Sequence, residues 1–169
     1  MREESRQRPP GRARPGRPTP AAGGIGDISD ISDISDISDV DGPASPRQRR
    51  LLDRYAAAFE NADVAGLTRV LREDAVLELP PSPTWFAGRD QIARFLATRV
   101  LRTPGDFTLV GVAANGQPGF AVYLRDPDGS RRAHAVQVLT VDAGSISRVV
   151  SFRQPDLFAL FDLPLMLPQ

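Results

Sequence analysis

After position 45 the spacing of apolar residues is mainly helical up to Leu101, with one strand-like stretch between, and alternating from Asp106 onward. Leu52, Tyr55, Ala56 and Phe59 fall at i, i+3, i+4 and i+7, which gathers an apolar stripe on a first helix. Ser45-Pro46-Arg47-Gln48 starts that helix, with Ser as N-cap, Pro at the first helical position and Gln three residues beyond the cap. Asp63 is placed to cap a second, short helix carrying Leu67, Val70 and Leu71. Ala75 to Leu79 then reads as a strand stopped by Pro80-Pro81. A loop with Trp85 and Phe86 follows, and Ile92, Phe95, Leu96 and Arg99 repeat at helical spacing on a third helix. From Asp106 to Phe152 the stretches FTLVGVAANG, QPGFAVYLRD, RRAHAVQVLTVD and SISRVVSF are rich in β-branched and aromatic residues and bounded by Gly, Asp, Pro or Ser. They predict four strands in an antiparallel meander, with turns at Asp126-Pro127-Asp128-Gly129 and Asp142-Ala143-Gly144-Ser145. One face of such a sheet must be covered, and the helices between Ser45 and Leu101 are the segments placed to cover it. The expected fold class is α+β.

Residues 1–45 carry no such period. Met1 to Pro20 mixes Arg with Pro and Gly, a composition that buries too little apolar surface to offset the cost of ordering a chain. Asp27 to Asp39 repeats Ile-Ser-Asp, and a period of three gathers the isoleucines on one face of neither a helix nor a strand. The expected organisation is a disordered segment over 1–45 and one folded domain over 46–169. Sharper readings are a transit peptide, opposed by Glu3, Glu4 and the prolines; a nucleic-acid arm, lacking interleaved aromatics; and a calcium loop, lacking its Gly turn and terminal Glu.

Composition narrows the chemistry. The 169 residues hold 21 basic and 21 acidic groups, for a net charge of +0, so no global field recruits nucleic acid or an anionic membrane. With no Cys and one His, there is no disulfide, no thiolate nucleophile and no multi-His metal site; neither metal nor cofactor is expected. The absence of a long apolar run predicts a chain that does not span a bilayer, and a cytoplasmic location.

The segment RYAAAFENADVAGLTRVLREDAVLELPPSPTWFAGRDQI, with Asn115-Gly116-Gln117-Pro118, Tyr123-Leu124-Arg125-Asp126 and Phe161 to Pro164, resembles the SnoaL-like branch of the nuclear transport factor 2-like superfamily. More narrowly, from about Arg49 onward it is similar to the C-terminal domain of a group of bacterial extracytoplasmic-function sigma factors. The resemblance implies a curved antiparallel sheet wrapped on three N-terminal helices, in a cone with a ligand pocket at one end. It implies a regulatory or small-molecule-binding role. Nothing before Ser45 has the helical pattern of the sigma regions that bind core polymerase and promoter DNA, so the chain is expected either to stand alone or to be the tail of a longer parent. The partners implied are a small-molecule ligand, sigma regions or RNA polymerase in that parent, and a second copy through the outer sheet face; direct nucleic-acid binding and membrane association are not expected.

Enzymes of this superfamily include ketosteroid isomerase, which pairs a carboxylate base with an oxyanion hole built from a Tyr and a protonated Asp. Here Tyr55 matches the Tyr, while the base position falls on Leu79, which accepts no proton. Glu78 is adjacent but, in a strand, points to the opposite face. The Phe-X-Asp-Pro pattern of SnoaL-type cyclases reads Phe152-Arg153-Gln154-Pro155, and Gln154 does no acid–base work. The expectation is a domain without catalytic residues, the alternative being a small isomerase or cyclase that uses His134 or an Asp not picked out by pattern. The residues expected to line the pocket are Tyr55, Trp85, Phe86, Asn115, His134, Gln137 and Phe152. Strict alternation sets His134 and Gln137 on opposite faces, so the two share a pocket only if a bulge intervenes. Arg125 and Arg153, at strand ends, are either anion ligands or solvated rim charges.

Overall fold

A computed structural model describes residues 44–167. The disorder expected over 1–45 therefore falls, apart from Ala44 and Ser45, outside the described residues. Helix α1 (Pro46–Glu60) begins as its sequence dictates, with the Ser45 side chain accepting from the Gln48 backbone N–H at 3.2 Å. Its buried face is Leu51, Tyr55, Ala58 and Phe59, with Leu52 and Ala56 only partly buried. The expected stripe is thus rotated slightly about the helix axis, because the two aromatics set the contact line. Asp63 caps α2 (Val64–Val70) by accepting from Gly66 N–H at 2.8 Å, and α2 buries Leu67 and Val70.

The first strand, β1 (Leu71–Glu78), starts four residues earlier than pattern suggested, directly from the end of α2. The charged run Arg72-Glu73-Asp74 hides that start from an apolar count. The same run coincides with an irregularity in pairing, between the Leu71↔Ile146 and Val76↔Arg148 partners. The expected aromatic loop contains a short strand, β2 (Trp85–Ala87), antiparallel to β1. Gly88, at φ 90°, leads into α3 (Arg89–Phe95), which continues as a π-helical turn over Leu96–Val100. The meander follows as β3 (Phe107–Ala114), β4 (Gln117–Arg125), β5 (Arg131–Asp142) and β6 (Ser145–Phe152). Asn115-Gly116 and Ala143-Gly144 connect two of its hairpins with both residues at positive φ, the hand of turn that suits twisted antiparallel strands.

The sheet runs in the order β2-β1-β6-β5-β4-β3 and is curved and unclosed. All its pairings are antiparallel except β1 with β6, which run parallel. A parallel pair needs a long crossover, and here α3 and the whole meander supply it. A bulge in β5 at His134, opposite the Val122/Tyr123 step, and one in β6 at Ser147, opposite the Thr140/Val141 step, bend the two strands.

The inner face of the sheet packs on the helices through Leu67, Leu71, Ala75, Leu77, Ile92, Leu96, Val122, Leu139 and Ile146. The outer face is covered differently. A 3₁₀ helix (Pro155–Phe161) and a short strand β7 (Met166–Leu167) fold back over β4 and β5, burying Phe158 against Ala121, Tyr123, Ala133 and Val136. The Tyr123 hydroxyl donates to the Pro164 carbonyl at 2.9 Å, and its ring meets Phe158 edge-on at 5.1 Å. Among the described residues no helix is long and apolar enough to cross a membrane.

Candidate functional site

Between the inner sheet face and the helices the side chains leave a cavity of about 310 Å³. Its walls are Phe59 from α1, Leu77 from β1, Leu79 just beyond it, Phe95, Leu96 and Val100 from α3 and its π turn, and Phe107, Val122, Leu124 and Ala135 from the sheet. Apolar walls with few polar groups are what a small-molecule site requires, and the volume lies at the lower end of the range for such sites, about 300 to 1,000 Å³.

The polar groups are placed by β5 and β6. Gln137 and Ser151 are direct cross-strand partners and, among the described residues, the two buried polar side chains. Burial fixes their company. The Tyr55 hydroxyl donates to Gln137 Oε1 at 2.9 Å, while the Tyr55 ring stacks on Phe120 at 5.8 Å. Burial pushes the Tyr55 phenol well above its ordinary value, so it stays protonated and remains a donor. Gln137 thereby spends its acceptor on Tyr55. Its amide N–H groups and the Ser151 hydroxyl make no side-chain hydrogen bond among the described residues, and both residues line the cavity.

His134 reaches the same space through the bulge. Tyr123 pairs with Ala133 and Val122 with Ala135, so His134 has no partner of its own and the alternation breaks there. His134 and Ala135 therefore both line the cavity, and His134 joins Gln137. The imidazole sits 5.8 Å from the Phe107 ring. Its pKa is lowered from the ordinary 6.5, chiefly by loss of solvent and further by the charges of Arg153 and Arg132, so it is neutral at pH 7. Arg99, Arg102 and Arg153, all exposed, complete the lining with one carboxylate, Asp106. Asp106 and His134 make no hydrogen bond to each other among the described residues. No group of three or more His, Cys, Asp or Glu side chains there is arranged to hold a metal ion.

The seven residues expected at the site separate into three groups. His134 and Gln137 line the cavity, and Tyr55 stands directly behind Gln137. Phe86 stacks at 4.3 Å on Phe95, a wall residue, and so supports the cavity from outside. Trp85, Asn115 and Phe152 lie elsewhere. Trp85 is 64% exposed, beside Pro80 and Pro83 in a surface depression, because its neighbour Phe86 takes the inward position on β2. Asn115 is in the β3–β4 turn, and Phe152 lies with it along an outer-face groove that also holds Gln154 and Leu157. Ser151, one residue earlier on β6, faces inward. Pattern reasoning missed Ser151, Asp106, Arg99 and Arg102. For Ser151 the signal was alternation against Phe152, and for Arg99 its place on the helical stripe with Phe95 and Leu96; for Arg102 and Asp106, lying between elements, there was none.

The sequence profile of the SnoaL-like domain matches residues 52–149. The RNA polymerase sigma factor SigG of Mycobacterium tuberculosis, an extracytoplasmic-function sigma factor, is 37% identical over 123 residues, 72% of this chain and 33% of SigG. The chain thus spans about a third of the length of the curated relatives it matches. Among solved structures, a proposed ketosteroid isomerase from Kribbella flavida is 27% identical, with 64% of this chain and 78% of that one covered and a TM-score of 0.51. A nuclear transport factor 2-like protein of unknown function from Burkholderia xenovorans is 14% identical, with 76% and 98% covered and a TM-score of 0.55; that likeness concerns the fold alone.

Proposed function

Because the chain belongs to the SnoaL-like domain family, we propose that residues 46–169 are a regulatory, ligand-sensing domain of the kind attached to extracytoplasmic-function sigma factors, and that the domain binds a small molecule without transforming it. The observation that carries the reading is the cavity itself: apolar walls, a polar floor at Gln137 and Ser151, and Leu79 in the lining where the isomerases' base position falls. The similarity to SigG over 72% of the chain supports the regulatory half. In this reading the chain works in the cytoplasm, and its macromolecular partners are sigma regions or RNA polymerase. Deleting the codons for residues 46–169 and profiling transcripts is expected to change the output of a discrete set of genes. An unchanged profile removes the regulatory role.

A second reading, a small isomerase or cyclase, is favoured by the presence of His134 and Asp106 in one cavity. A neutral imidazole is a competent base, and a carboxylate across the space would orient or receive a proton. Turnover of a model enone that disappears in His134→Ala would establish it. A homodimer is the third proposal, supported by exposed Leu160, Leu165 and Met166 around the C-terminal segment on the outer face. Sedimentation across a concentration series tests it, and a strict monomer removes it.

A further inference from the structure

The chemical class of the ligand follows from the distribution of charge around the cavity, an inference that rests on the cavity's being a ligand site. We propose that the ligand is an aryl carboxylate, seated ring-first between Phe59, Phe95 and Phe107 with its carboxylate held at the mouth by Arg99, Arg102 and Arg153.

The lining carries three guanidinium groups against one carboxylate, Asp106. Three other arginines of the sheet are neutralised within the protein, Arg72 by Asp74 and Asp142, Arg132 by Asp126 and Arg148 by Glu78, while Arg125 and Arg131, outside the cavity lining, form no ion pair among the described residues. Arg99, Arg102 and Arg153 form no ion pair among the described residues. They come from three separate places, the π turn, the loop after it and the end of β6, so no single element's amphipathicity explains their convergence. The guanidinium fork matches a carboxylate in geometry, and such a pair is among the stronger hydrogen-bonded contacts. Deeper in, the lining is aromatic and aliphatic, and the volume of about 310 Å³ suits one or two fused rings. Burying the charged end would strip it of solvent, so this division of charge also fixes which end enters.

His134 gives the arrangement an internal reporter. The charges acting on it are Arg153 beyond β6 and Arg132 on its own strand, and Arg99, Arg102 and Asp106 line the same cavity. Loss of solvent first, and then the Arg153 and Arg132 charges, disfavour imidazolium. A carboxylate arriving at the mouth offsets that field and raises the His134 pKa, whereas a neutral isostere does not. His134 is the only histidine in the chain, so its ring-proton signals need no assignment.

The test uses the full, tag-free chain with 1-naphthylacetate and 1-naphthylacetamide, calorimetry for affinity and proton NMR of the histidine across about pH 5 to 8 for site and charge. The carboxylate is expected to bind about ten-fold tighter than the amide or better, and to raise the His134 pKa. In an Arg99→Gln, Arg102→Gln, Arg153→Gln variant, which alters exposed side chains only, the two probes should bind alike. Equal affinities in the unaltered chain overturn the anion assignment but leave a neutral receptor standing. Failure of both probes to bind removes the receptor reading with it. A carboxylate preference that survives in the triple variant, or leaves His134 unmoved, puts the anion elsewhere and overturns the proposal.

Discussion

Tyr55 and His134 are the residues on which the interior chemistry turns, and each has a measurable signature. In Tyr55→Phe, Gln137 Oε1 loses its donor inside the protein, and the expected destabilisation is about 1 to 2 kcal/mol, read from urea unfolding. His134 carries a pH dependence whose sign follows from its neighbours. Its folded pKa lies below the unfolded value near 6.5, so between the two the unfolded chain holds the extra proton. Stability therefore falls as pH drops through 6.5 to the folded value and levels off below it. His134→Gln should remove that component, so that wild-type and variant urea midpoints diverge differently at about pH 8 and pH 5.5; parallel midpoints would show that burial and the arginines do not act on the imidazole. Tyr55 was legible in the sequence because it lies on the helical stripe. The convergence of Asp106 and Arg102 on Arg99 was not, because Asp106 and Arg102 sit in a loop whose position is set by contacts distant in sequence.

Among the elements, β5 decides which side chains meet. Its bulge turns His134 inward beside Ala135, and alternation in the sequence carries no mark of an added, unpaired residue. Two hairpins, by contrast, were readable from Asp128-Gly129 and Ala143-Gly144, where the turn itself demands a residue tolerant of positive φ, while Asn115, expected at the site, makes a third such turn with Gly116. The helices were readable as far as capping chemistry reached; the early start of β1 was masked by Arg72-Glu73-Asp74. Two glycines of the β3–β4 hairpin separate packing from propensity. A Cβ on Gly119 would lie 2.4 Å from the Gln137 carbonyl oxygen, so Gly119→Ala must push β4 from β5 at the cavity floor and is expected to cost about 1 to 3 kcal/mol. Gly111 has nothing within 4 Å of that position, and Gly111→Ala should be neutral or stabilising by up to about 1 kcal/mol. Thermal unfolding of the two variants side by side checks the contrast.

At the scale of the molecule, the curved sheet is served on its two faces by different ends of the chain: the helices close the inner face and the C-terminal segment closes the outer one. The C-terminal half of that arrangement was visible beforehand only as a resemblance at Phe161 to Pro164, since a 3₁₀ turn and a two-residue strand have no lasting period to read. Phe158, fully buried, anchors the strap, and Phe158→Ala should cost about 3 to 5 kcal/mol and leave Ala121, Tyr123 and Val136 less covered. Chemical denaturation gives the first effect, and size-exclusion chromatography follows any association caused by the second. The parallel seam between β1 and β6 has its own consequence, for the way the protein is made. A chain still emerging from the ribosome carries Leu77 early but must wait for Ser151 and Arg153, so the cavity has no complete wall until translation has passed the sixth strand. Any premature stop before that point leaves out part of the cavity lining and the strand that pairs with β1.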